Sequence, residues 1–149
     1  MPRLLTKQMK KPNETRSVMV ELFTDEWMQD FKEAWNCEPE LKAELAEIGF
    51  DSIIGYGFQG DDKPRGVIVV KCGEVIDAGA FHGHELNWDL RASEGTWNAW
   101  LAKPPGMMGL GVAYTSGKLN FLSGDYAAMI KDPQMAGPFV KSFAVMALL

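Results

Sequence analysis

The chain reads as one α/β (α+β) domain in which helices cover a five-stranded, mostly antiparallel sheet. Three observations predict this. Apolar residues recur every three or four positions near both ends, between residues 23 and 48 and again from Met135 onward. Short runs rich in β-branched and aromatic residues fill the middle, and clusters of Gly, Pro and Asp separate most of these segments. A length of 149 residues is that of one domain with one core.

The elements follow in order. Residues 1–17 gather Arg3, Lys7, Lys10, Lys11 and Arg16 around Pro12 and Asn13 with little apolar periodicity, which predicts a flexible basic arm ahead of a domain over 18–149. Thr24 followed by Asp25 and Glu26 marks a helix start, because a hydroxyl can cap the first amides and acids favour the positive end of the helix dipole. That helix runs to about Asn36 with Phe23, Trp27, Phe31, Ala34 and Trp35 on one face. A second opens at Pro39, turns Leu41, Leu45 and Ile48 inward and closes at Gly49.

Strands are predicted at Ser52–Phe58 and Gly66–Lys71 around the polar turn 59–65, then at Val75–Phe81 and at Leu86–Leu90. Short links between four successive strands predict an antiparallel meander. Ser93 starts a third helix, with Trp97, Trp100 and Leu101 on one face, and Pro104-Pro105 stops it. The apolar, glycine-rich stretch 106–114 predicts a short or irregular helix and 118–122 a fifth strand. A helix over 126–131 is interrupted at Asp132-Pro133, and the final segment carries Phe139, Phe143, Met146 and Ala147 at helical spacing.

Composition excludes several function classes. A net charge of −5 without a basic cluster in the domain argues against nucleic acid, whose binding rests on clustered Lys and Arg. No run of about 18 apolar residues is present. Cys37 and Cys72 are isolated, so a reducing cytoplasm is the expected compartment. His82 and His84, even with Cys72 or Asp77, fall short of a zinc ligand set, and no nucleophile has an evident base, so neither metal nor catalytic group is expected. Between Gly111 and Gly117-Lys118 stand five residues where a phosphate-binding loop has four, and Leu119 replaces the magnesium-binding hydroxyl. Asp61, Asp62, Asp77 and Asp89 are read as solvated surface.

The apolar inventory is unusual: nine methionines and five tryptophans, with Trp97, Trp100, Met107 and Met108 close together beside glycines. Such adaptable material suits either a plain core or a pocket wall for a flexible apolar guest.

The order of segments, and above all Ser116-Gly-Lys-Leu-Asn-Phe-Leu-Ser-Gly-Asp125 leading into closing helices, resembles the sterol carrier domain family. Asp51–Phe58, the Gly73-Glu-Val75 turn and the step from Trp88 to Trp97 resemble the corresponding parts of that family, and the likeness spans about Phe23 to Met146. The resemblance implies an apolar tunnel between sheet and helices that takes a fatty acid, fatty acyl-coenzyme A, phospholipid or sterol. It places Trp97, Trp100, Leu101, Met107, Met108, Leu110, Val112, Tyr114 and Phe121 along the tunnel, with Phe139, Phe143 and Met146 closing it. Binding or transfer of a lipid would then need no covalent chemistry and no cofactor, with transient membrane contact during release. Two alternatives stand beside it: a homodimerisation module that docks the C-terminal helix on a second copy, and an enzyme acting on an acyl or steroid substrate through His82 or His84.

Overall fold

A computed structural model describes residues 21–149; the basic arm expected over residues 1–17 lies outside them. Two helices come first, α1 (Asp25–Asn36) and α2 (Pro39–Glu47), then strands β1 (Ser52–Phe58), β2 (Gly66–Lys71), β3 (Glu74–Ala80) and β4 (Trp88–Ala92). Helices α3 (Glu94–Ala102) and α4 (Met107–Thr115) precede β5 (Asn120–Ser123), and α5 (Tyr126–Ile130) and α6 (Pro133–Met146) complete the chain.

Local chemistry accounts for the boundaries. The Thr24 side chain accepts from the Trp27 amide at 3.3 Å and starts α1. Phe23 just before it has φ of 65°, a left-handed conformation that turns its buried ring in among Trp27, Tyr56, Phe58 and Trp97. Between β2 and β3, Cys72 and Gly73 both take positive φ, 48° and 82°, as a two-residue type I′ hairpin turn requires. A Cβ on Gly73 would also lie 2.5 Å from the Lys42 carbonyl, so α2 can rest on this turn only because that residue is glycine. Val69 pairs with Asp77 and Val70 with Val75, which leaves Ile76 as the extra residue of a bulge.

The five strands lie in the order β3-β2-β1-β4-β5. All pairs are antiparallel except β1 with β4, which run parallel with Ile54 opposite Trp88 and Tyr56 opposite Leu90. The expected four-strand meander therefore ends at β3. Residues 81–87 cross to the other side of β1, and Leu86 and Pro64 settle over Gly55 on the back of the sheet. A short crossover suffices because side chains and loops, instead of helices, cover that face.

On the back face Asp89 and Arg91 correct a second expectation. Asp89 is only 7% exposed and Arg91 2%, not solvated. The guanidinium grips the carboxylate in a fork, at 2.7 and 3.2 Å, and donates to the carbonyls of Asp61 and Phe58 at 2.7 and 3.3 Å. Pairing and hydrogen bonding on this scale let both charges leave water.

The front face carries the core. Tyr56, Ile68, Val70 and Leu90 pack beneath Phe31, Trp97, Leu110 and Phe143, all buried. Trp35 and Trp97 donate their indole N–H to the carbonyls of Gly73 and Gly57, each at 2.9 Å, which satisfies the polar handle of two buried rings.

Candidate ligand cavity

The motif 123–125 fixes where the last two helices start. Gly124 has φ of 103°, and a Cβ there would fall inside the Trp88 indole, so the chain can turn flat against that ring only with glycine. Asp125 then caps α5 through the Ala128 amide at 3.0 Å, and Asp132 caps α6 through Gln134 at 3.0 Å with Pro133 in the first turn. The pair Asp132-Pro133 separates α5 from α6, as the interruption expected there, and also starts α6.

Helix α6 turns Met135, Pro138, Phe139 and Ser142 toward the sheet, a stripe at spacings of three and four. Facing them are Ile54 and Tyr56 of β1 and Trp88 and Leu90 of β4, and Trp35, Leu45, Phe50 and Met129 complete the lining. Together they surround a cavity of about 40 Å³. That is room for a few waters at roughly 10–15 Å³ each, with almost nothing to hold them by hydrogen bonds. An acyl chain enters only if a wall moves. Pro138 makes α6 the weak wall, because it has no N–H to return to the Gln134 carbonyl inside the helix.

The lining is uncharged. Ser142 Oγ donates to the Phe139 carbonyl at 2.6 Å. Burial pushes the Tyr56 hydroxyl well above the ordinary tyrosine range, and it makes no hydrogen bond among the described residues. Burial, with Tyr114 beside it, also raises Tyr126.

Of the residues singled out in the sequence, Phe139 lines this cavity. Trp97, Leu110, Phe143 and Met146 are buried in the core away from it, and Trp100, Leu101 and Phe121 pack half-buried at the core's edge. Met107, Met108, Val112 and Tyr114 are exposed on α4. Because α6 buries Phe143 and Met146 in its own domain, the face assigned to a second copy in the dimer reading is occupied within the chain. The lining from β1 and β4 was not singled out; its signal is the alternation Ile54, Tyr56 and Trp88, Leu90 on paired strands.

His82 and His84 sit in the 81–87 loop, where the His82 amide donates to His84 Nδ1 at 3.4 Å. Among the described residues no three His, Cys, Asp or Glu side chains group to hold a metal, and no helix is long and apolar enough to cross a membrane.

No family model and no curated protein sequence matches the chain. Solved structures do. A crystal structure of sterol carrier protein 2 superposes with a TM-score of 0.63 at 23% identity, covering 83% of this chain and 97% of that one. A conserved hypothetical protein from Thermus thermophilus gives 0.58 at 24% identity over 85% and 90% of the two chains. A ubiquinone synthesis protein, UbiJ-SCP2, gives 0.53 at 13% identity over 82% and 88%. The chain therefore has the fold of the sterol carrier protein 2 structures, the family its motifs resemble.

Proposed function

We propose that the chain binds one hydrophobic ligand between α5–α6 and the sheet and carries it without covalent chemistry. The observation behind this reading is an uncharged, apolar cavity walled on one side by a helix with a proline in its interior. Such a lining rewards hydrocarbon and rejects a charged group, so the ligand is one whose hydrocarbon enters while its polar end stays outside, with a fatty acid or fatty acyl thioester as the first class to test. Each buried methylene contributes about 0.8 kcal/mol, so about eight of them offset several kcal/mol of association cost and of moving α6. The fold shared with sterol carrier protein 2 supports the same reading. A soluble cytoplasmic carrier is the setting we propose.

Native mass spectrometry of gently purified protein, followed by solvent extraction, tests it. A stoichiometric fatty acid or acyl thioester is the expected result, and saturable uptake of fluorescent fatty acid should be lost in Ser142→Leu, which fills the cavity while remaining compatible with α6. A bare mass with no uptake from added fatty acid sinks the proposal.

A further inference from the structure

Helix α4 is out of keeping with the rest of the surface. Of the eight large apolar side chains exposed among the described residues, four lie on it (Met107, Met108, Val112 and Tyr114) and a fifth, Leu122, on the neighbouring edge strand β5. Met108 and Val112 are 83% and 61% exposed and stand one turn apart, so they share an outward face while Leu110 and Ala113 hold the helix to the core. Scattered single apolar residues need no explanation, but a cluster of this kind marks an interaction site.

The charge around the cluster identifies what it meets. In a chain of net charge −5, residues 103–124 contain no Asp or Glu. Two exposed lysines, Lys103 and Lys118, stand just before and after the helix. Lys118 also lines an open groove between α3 and α4 together with Trp100 and Val112, which places a cation, an indole and an apolar side chain side by side. The Gln59 side chain donates to the Gly117 carbonyl at 2.9 Å and so pins this corner to the β1–β2 loop.

We infer that α4 is a lipid-docking surface, on which Met107, Met108 and Val112 enter the interface of an anionic bilayer while Lys103 and Lys118 meet its phosphates. An apolar face framed by lysines is the pattern that anionic lipid surfaces bind, and indole rings favour the same depth. The surface connects to the cavity through a chain of ring contacts. Tyr114 stacks on Tyr126 at 4.3 Å between centroids, Tyr126 meets Phe139 at 6.3 Å, and Phe139 is part of the cavity wall. Docking thus presses on the element that must move for a ligand to pass. The docking surface stands whether or not the cavity takes a ligand, because vesicle binding and fatty-acid uptake are separate readouts.

The test is co-sedimentation of the full chain with phosphatidylcholine vesicles, with and without phosphatidylglycerol. Binding is expected only with phosphatidylglycerol, reversed by salt, abolished in Met108→Glu and weakened roughly fivefold by each of Lys103→Gln and Lys118→Gln. Ile76→Glu, which changes an exposed apolar residue on β3, should bind as the unaltered chain does. Absence of binding overturns the inference, as does binding that survives Met108→Glu, since it would then belong to the basic residues between Arg3 and Arg16. Light scattering that shows Met108→Glu turning a dimer into a monomer also overturns it, with a second copy as the partner of α4.

Discussion

Helices α1 and α6 cover the same face of one sheet but are fastened to it in different ways. Helix α1 is uninterrupted, and four of its side chains hold the β2–β3 hairpin by hydrogen bonds: Asp25 accepts from the Ala80 amide at 3.2 Å, Gln29 donates to the Ala78 carbonyl, Trp35 donates to Gly73, and Asn36 both donates to and accepts from Val75 at 2.9 Å. Helix α6 carries Pro138 in its middle, its Ser142 bond stays within the helix, and no side chain of it reaches the sheet by a hydrogen bond among the described residues. Directional bonds fix one wall, whereas the other rests on apolar contact and can shift. The difference sets the two helices apart: α1 is tied to the sheet by directional bonds, and α6 is the wall that the proposed ligand entry requires to move.

Truncating one aromatic ring in each wall gives the largest contrast. Phe31→Ala opens a hole in the fixed wall and should cost about 3–5 kcal/mol, whereas Phe139→Ala, from a half-buried position on the cavity, should cost about half that. Denaturant midpoints at an unchanged slope measure both. Equal losses would show that α6 is packed as firmly as α1 and would remove the physical basis for opening there.

Next in size is the turn that leads into α5 and α6. Gly124→Ala combines a positive φ with a collision against the Trp88 ring, and about 2–3 kcal/mol of destabilisation is expected. Tryptophan fluorescence should change with it, because the displaced indole is part of the cavity wall. A variant with native stability would mean that the turn does not bear on Trp88.

The same comparison explains what was legible in the sequence. The caps at Thr24 and Ser93, and the spacing of Trp27, Phe31 and Trp35, are local signals, and α1 and α3 form where these predict. Strand exchange is not local. Nothing within residues 81–92 says that β4 pairs with β1 instead of β3, since that choice depends on a bare back face at Gly55 to which Leu86 and Pro64 contribute from separate loops. The burial of Asp89 has the same origin, because Arg91 two residues on shares its face but becomes its shield only once the 59–65 loop closes over both. On the α6 side, the spacing of apolar residues pointed to Phe139, which lines the cavity, but also to Phe143 and Met146, which the core takes instead. The sheet side shows in the sequence as the alternation within β1 and within β4, but only the parallel pairing of the two strands brings Ile54, Tyr56, Trp88 and Leu90 onto one wall.

Tyr56 sharpens the picture of the floor under both helices. Its hydroxyl is buried without a hydrogen-bond partner among the described residues, at a cost of roughly 1 kcal/mol, so Tyr56→Phe should be neutral or slightly stabilising at pH 7. The alkaline behaviour separates this from a trivial effect. Because burial raises the folded-state pKa, the unfolded chain loses the tyrosine proton first, and stability falls as pH climbs above the ordinary tyrosine pKa of about 10. Denaturation followed from neutral to alkaline pH should therefore decline less steeply in Tyr56→Phe. Parallel curves would mean that the hydroxyl has a partner or a path to water.

The smallest effect concerns the ionic contacts of Lys141 on α6. Lys141 reaches Glu38 Oε1 at 3.9 Å and Glu40 Oε1 at 3.8 Å at the start of α2, long contacts between partly exposed groups. Such pairs are screened by salt and contribute less than about 1 kcal/mol, so Lys141→Ala should hardly move the denaturation midpoint. Hydrogen exchange is the more discriminating measurement, since it reports local opening and not only global unfolding. If α6 is the yielding wall and this pair restrains it, α6 amides should exchange faster in the variant while those of α1 do not change, and high salt should produce the same pattern in the unaltered chain. Uniform acceleration across both helices would instead mean that α6 opens only when the whole domain does, and the ligand would then need another way in.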